Sequence, residues 1–252
     1  QMLVEDCVIA NRYKLISRIG RGCFGVVWKV ADIQEGNQLK VVKAMDKHFG
    51  RKDDSHVNET PGRLSFNNLM RVAYTLGNTL CYIHDRGFIH RDLKADNVVV
   101  TFSNEVCTLK LIDFGKAIRI KDQNGNQLPG HQDGIDYSRC SQHSVNVILG
   151  IAPTQNDDWS SLVYLLMKMR GFSWGDTAEE MLDLKVQFEN DPKDMIAQDM
   201  MWMRQIYRNA VNEDMGRENN RGIVDKLVQA HEHFDFQSMI EYIIVDGHVL
   251  LE

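Results

Sequence analysis

His90-Arg91-Asp92-Leu93-Lys94-Ala95-Asp96-Asn97 joins the end of a long amphipathic stretch to a short strand-like run. Asp92 stands at the centre of this loop, where a carboxylate can accept the proton of a substrate hydroxyl. Lys94, two residues on, can neutralise phosphate charge, and Asn97, five on, offers an oxygen to a metal ion. Asp113-Phe114-Gly115 follows directly after the next strand-like run. Its carboxylate suits Mg²⁺, which prefers carboxylate and phosphate oxygens. Any one of these short motifs arises by chance; the chemistry is carried by their order and by the elements between them.

Working outward toward the N-terminus, Leu69, Val72, Ala73, Leu76, Leu80 and Ile83 recur at helical spacing, and Ser65 is the expected N-cap. Before that helix, residues 13–19, 26–31 and 39–45 read as three strands of an antiparallel meander, with Glu35-Gly36-Asn37 as a turn. The first two strands are joined by Gly20-Arg21-Gly22-Cys23-Phe24-Gly25-Val26-Val27. Glycines there let backbone N–H groups approach a phosphate closely. A strand follows them, whereas a dinucleotide-binding turn opens a helix. Lys43, in Val41-Val42-Lys43, is a lysine within an apolar strand. Burying it is costly unless an anion such as a phosphate or a carboxylate pairs with it.

Toward the C-terminus, residues 98–100 and 107–112 are expected strands joined at Ser103-Asn104-Glu105. A stretch without periodicity runs over 116–146, and from Asp157 the pattern is helical to the end. Leu162, Leu165, Leu166 and Met169 form one apolar stripe, and Ile223, Leu227 and Val228 another. A strand-rich front and a helical back give an α+β protein of two lobes with a cleft between them. The expected boundaries are 1–63 and 64–252.

Bulk properties exclude several classes. The 252 residues are 43% hydrophobic and 25% charged, which suits a globular chain with a sizeable core. A formal net charge of -6 argues against a nucleic-acid partner, since phosphate contacts need clustered Lys and Arg. The five cysteines show no zinc-ligand spacing, so reduced thiols in the cytoplasm or nucleus are expected. The first ten residues lack the pattern of a signal peptide. The most apolar run, 162–169, is far short of the roughly 20 residues of a membrane span.

Taken together, the glycine-rich turn, Lys43, the 90–97 loop and Asp113-Phe114-Gly115 resemble the eukaryotic protein kinase set. Ser144-Val145-Asn146, Gly150-Ile151 and Asp157-Asp158-Trp159-Ser160-Ser161-Leu162 are similar to signatures of the casein kinase I superfamily. His84-Asp85-Arg86-Gly87-Phe88-Ile89 looks like its tubulin-tau kinase branch, and Asp235-Phe236-Gln237-Ser238-Met239-Ile240 like the family's last helix. The resemblance implies a bilobal fold and a protein Ser/Thr kinase that uses ATP and Mg²⁺ on a protein substrate. By it, Asp92 is the catalytic base and Lys94 the phosphate-neutralising residue. Asn97 and Asp113 are the metal ligands. Gly20, Gly22, Gly25, Val27 and Lys43 contact ATP, with Glu59 the ion-pair partner of Lys43. His90, Arg91 and Asp158 support the catalytic loop. A small-molecule phosphotransferase is the weaker class, because Ser-x-Asn and Asp-Asp-x-x-Ser-Leu are protein-kinase-like.

The chain departs from the family in three ways. Gly-Thr-x-Arg-Tyr is not reproduced across 134–143, and Val41 stands where Ala is usual. Only residues 60–63 separate Glu59 from the helix entry at Leu64, where the family has the rest of a helix, two strands and a hinge. About 40 residues are missing by that comparison with the parts of a kinase domain. The N-terminal lobe is therefore expected to be truncated. The alternative reading is a catalytically impaired kinase fold acting as a binding scaffold.

Overall fold

The computed structural model describes residues 6–9, 12–22, 25–45, 64–103, 106–130, 142–196, 198–211, 221–245 and 248–251. The chain divides into two compact units, Gln1–Glu59 and Thr60–Glu252.

In the first unit, β1 (Val8–Ile9), β2 (Tyr13–Gly22), β3 (Gly25–Asp32) and β4 (Gln38–Met45) form an antiparallel sheet in the order β1-β2-β3-β4. The expected meander of three strands thus carries a fourth, two-residue strand, paired through Val8↔Lys14 and Ile9↔Tyr13. Alternation over two residues is too short to mark a strand in sequence. The β3–β4 turn places Gly36 and Asn37 at φ 64° each, a conformation cheap for Gly and tolerated by Asn. Buried Asp32 anchors that turn. Its carboxylate accepts Arg12 Nε at 2.9 and 3.0 Å and the Gln34 N–H at 3.2 Å.

The second unit is built around α1 (Phe66–Asp85), which starts where Ser65 accepts the Asn68 N–H at 3.2 Å. After α1 come β5 (Phe88–Ile89), the hairpin of β6 (Val98–Ser103) and β7 (Val106–Leu111), and β8 (Ile118–Arg119) paired back on β5. Then follow α2 (Val145–Ile148), α3 (Gln155–Met169), α4 (Ala178–Asn190), α5 (Trp202–Val211) and α6 (Arg221–Ala230). The expected aperiodic stretch at 116–146 therefore holds β8 and the start of α2, both too short for periodicity to show.

The core of this unit sets Leu69, Leu76 and Leu80 of α1 against Trp159, Leu162 and Leu166 of α3 and Ile223, Val224 and Leu227 of α6. Gly77 permits the close approach: a Cβ there would lie 3.1 Å from Val224 Cγ2 and 3.5 Å from the Trp159 ring. A mid-helix glycine costs roughly 1 kcal/mol of helix propensity, offset here by packing of three helices.

The C-terminal expectation is corrected. Residues 235–241 hold a turn at 236–238 and no helix, and β9 (Tyr242–Val245) and β10 (His248–Leu251) form an antiparallel hairpin. Asp235 accepts the Gln237 and Ser238 N–H groups at 3.0 and 3.1 Å, which competes with a helical turn. Tyr242-Ile243-Ile244-Val245 is β-branched and aromatic and favours a strand. The turn is held on α1 by Asn68, whose amide bonds Glu241 N and O at 2.8 and 2.7 Å.

Candidate active site

α3 begins with a capping box in which Thr154 and Asp157 satisfy each other's backbone donors. The next residue, Asp158, is buried and turns toward the 90–97 loop. Its Oδ2 accepts His84 Nε2 at 2.9 Å and the His90 N–H at 2.7 Å, and its Oδ1 accepts the Arg91 N–H at 2.8 Å. Burial alone would raise its pKa; the bonds from His84, His90 and Arg91 outweigh burial and hold the carboxyl below its usual range. Arg91 lies at φ 68°. A non-glycine residue pays about 1–2 kcal/mol for that conformation, and the Asp158 bonds to the N–H groups of His90 and Arg91 hold the chain entering it.

Behind Arg91, Asp92 is 1% exposed and ringed by donors. Its Oδ2 meets Asn97 Nδ2 at 3.1 Å and Lys94 Nζ at 3.4 Å. Its Oδ1 meets Lys116 Nζ at 3.3 Å and Gln142 Nε2 at 3.0 Å. Burial pushes its pKa up, but Lys94, Lys116, Gln142 and nearby His143 win and keep it depressed. Asn97, in a 3-10 turn, also donates Nδ2 to the Asp92 carbonyl at 2.7 Å. His90 Nδ1 accepts the Asp92 N–H at 3.3 Å, and its Nε2 bonds the Ile112 carbonyl at 3.1 Å, a pattern satisfied by the Nε2–H tautomer. With Ile112 N–H on Asn97 O at 2.8 Å, these bonds tie the loop to the chain just before Asp113. Asp113 itself is left-handed, φ 65°, and caps a 3-10 turn by accepting the Gly115 N–H at 3.3 Å.

The structure therefore gathers His90, Arg91, Asp92, Lys94, Asn97 and Asp158 around one loop. In the first unit, Gly20 and Gly22 close β2 and Gly25 opens β3. Val27 is the cross-strand partner of both Gly20 and Lys43. Glu59 lies outside the described residues. Three contributors did not stand out in the sequence. Lys116 had a usable signal, since it directly follows Asp113-Phe114-Gly115. Asp157 had one in the doubled aspartate. Gln142 had none.

Residues 52–134 match the family model of the protein kinase domain. The match covers about a third of the chain and supports a protein kinase superfamily. Within it lie the 90–97 loop and Asp113. The kinase match ends before Gln142 and before the Asp158 brace, which the tertiary structure brings to the same loop. The helices and small sheets fit an α+β kinase-like fold. Among the described residues, no helix is long and apolar enough to cross a membrane.

Proposed function

We propose that this chain carries the centre of a protein Ser/Thr kinase of the casein kinase I superfamily, transferring a phosphoryl group from Mg-ATP to a protein hydroxyl. The observation that carries this reading is Asp92: a buried carboxylate kept ionised by Lys94 and Lys116 on a loop braced by Asp158. An ionised carboxylate can accept a hydroxyl proton, and the flanking ammoniums can neutralise phosphate charge. The donor set fits Mg²⁺. Asn97 spends its Nδ2 on Asp92, which leaves its amide oxygen as the acceptor, and Asp113 adds a carboxylate. When bound, the ion screens phosphate charge; Asn97 and Asp113 would hold it.

In the first unit, β2, β3 and β4 would supply Gly20, Gly22, Gly25, Val27 and Lys43 to the nucleotide. The stretch between Glu59 and Leu64 is too short for the strands and hinge of a complete N-terminal lobe. This favours weak ATP affinity and slow transfer, and gives the scaffold reading its one specific support. Measuring ATP affinity and turnover on the 252-residue chain and on Asp92→Asn tests both readings. The kinase reading expects transfer that is slow in the parent and lower by orders of magnitude in the variant. Equal turnover in both would remove Asp92 from the chemistry, and micromolar ATP affinity with rapid turnover would refute the expected impairment.

A further inference from the structure

The two oxygens of Asp92 are served differently. Oδ2 is met from within the loop, by Lys94 and Asn97. Oδ1 is met from outside it, by Lys116 and by the amide of Gln142 at 3.0 Å. A neutral amide adds no charge to a carboxylate that already faces two ammoniums. It fixes a direction, because hydrogen bonds weaken steeply off axis.

The chain behind Gln142 is held at successive points. The His143 carbonyl accepts Lys185 Nζ, from a lysine of α4 that is fully buried. Ser144 donates its hydroxyl to Asp157 Oδ1 and accepts the Val147 N–H at 3.2 Å, which starts α2. Asp157 Oδ2 takes the Thr154 N–H at 2.6 Å and its hydroxyl at 3.0 Å. One carboxylate thus pins both ends of the 144–154 stretch, two residues from the amide that touches Asp92.

We propose that Gln142 is a positioning residue for the acceptor side of this centre, fixing Asp92 Oδ1 while Asp157 and Lys185 fix Gln142 through Ser144 and His143. The inference rests on the reading of Asp92 as the group that meets the acceptor hydroxyl. A hydroxyl arriving at Asp92 then finds one oxygen already oriented, and a slack Gln142 would widen the range of carboxylate orientations it meets.

The placement is tested without activity, on the ¹⁵N-labelled full chain. The side-chain amide signals of Gln142, assigned by their loss in Gln142→Ala, are expected to be displaced from those of exposed glutamines. Asp92→Asn and, separately, Ser144→Ala should each move them back toward the exposed values. Ser144→Ala removes one hydroxyl and alters neither Gln142 nor Asp92, so its effect reports the link through Asp157. Signals at exposed values in the parent chain, or unmoved by Asp92→Asn, would overturn the contact. Signals moved by Asp92→Asn but not by Ser144→Ala would overturn the link. In transfer assays Gln142→Ala should raise the acceptor KM about tenfold with the ATP KM unchanged, the scale of one hydrogen bond to a charged group. An unchanged acceptor KM would overturn the positioning role. Failure of the kinase reading looks different: the parent chain shows no Mg-ATP-dependent transfer at all, while the amide signals still decide where Gln142 sits.

Discussion

Two stretches, the 90–97 loop and residues 142–154 around α2, are each held by one aspartate from the first turn of the same helix, and they are held in opposite ways. Asp158 accepts two backbone N–H groups and an imidazole, and its carboxyl is depressed. Asp157 accepts the hydroxyls of Ser144 and Thr154 with one backbone N–H. Burial prevails there, assisted by the neighbouring Asp158 charge, and its carboxyl is raised. Adjacent in sequence and similarly buried, the two differ in the donors that reach them. Backbone N–H groups have their direction fixed by the chain, whereas hydroxyls can turn elsewhere. The 90–97 loop is therefore bound to its aspartate more tightly than 142–154 is to its own.

That contrast can be broken by removing each brace. Asp158→Ala removes the carboxylate that His84 and the N–H groups of His90 and Arg91 share. It should cost about 3–5 kcal/mol, the scale for removing one member of a buried charged network, read by denaturant unfolding of the full chain. A loss under 1 kcal/mol would mean that the loop holds itself.

A pH titration sharpens the comparison from the side of the 142–154 stretch. His143 is buried, and its pKa is pushed down to about 3, first by burial and then by Lys116, with Lys185 and Lys94 adding and Asp92 opposing. A folded pKa below the unfolded value means that the unfolded chain binds more protons between about pH 3 and 6.5, so stability falls as pH drops through that window. From pH 7 to pH 5 the expected loss is about 2 kcal/mol. His143→Gln should flatten the slope by that amount. Asp158, depressed, loses its contribution only at lower pH, and Asp157, raised, works in the opposite direction by favouring the fold as it protonates. A slope identical in His143→Gln and parent chain would exclude His143 as its origin.

The smallest effect is expected at Asp157. Asp157→Asn keeps the volume and one acceptor oxygen but turns an amide toward the Thr154 donors. A cost of about 1 kcal/mol fits the loss of one net hydrogen bond. Faster hydrogen exchange should be confined to 142–154 and leave the 90–97 amides protected. Equal loosening of both stretches would show that the two braces act as one.

Much of the candidate site was legible because its residues sit close together in the chain. Asp92, Lys94 and Asn97 fall on one loop, so spacing alone brings them together, and Asp113 follows the next strand. Ser65 and the stripe from Leu69 to Ile83 declared α1 by the same logic. Short elements were not legible. β1, β8 and α2 are two to four residues long, and periodicity needs more. The segment from Asp235 departs from the expected helix, because its turn is stabilised by local bonds from Asp235 and by long-range bonds to Asn68 and Arg71, none of which sequence periodicity registers.

By itself the sequence determined the chemistry of the loop: a carboxylate, a cation and an amide in fixed order, followed by a second carboxylate after a strand. It also determined an α+β organisation, since periods of two and of three to four residues need no partner to be seen. Only the tertiary structure decided which side chains close on Asp92 from a distance. Gln142 stands fifty positions away in the chain and Lys116 twenty-four. It likewise decided that neighbouring Asp157 and Asp158 take opposite protonation tendencies. Both depend on which donors and how much apolar surface folding places around a carboxylate, and neither is a property of the residues that flank it in the chain.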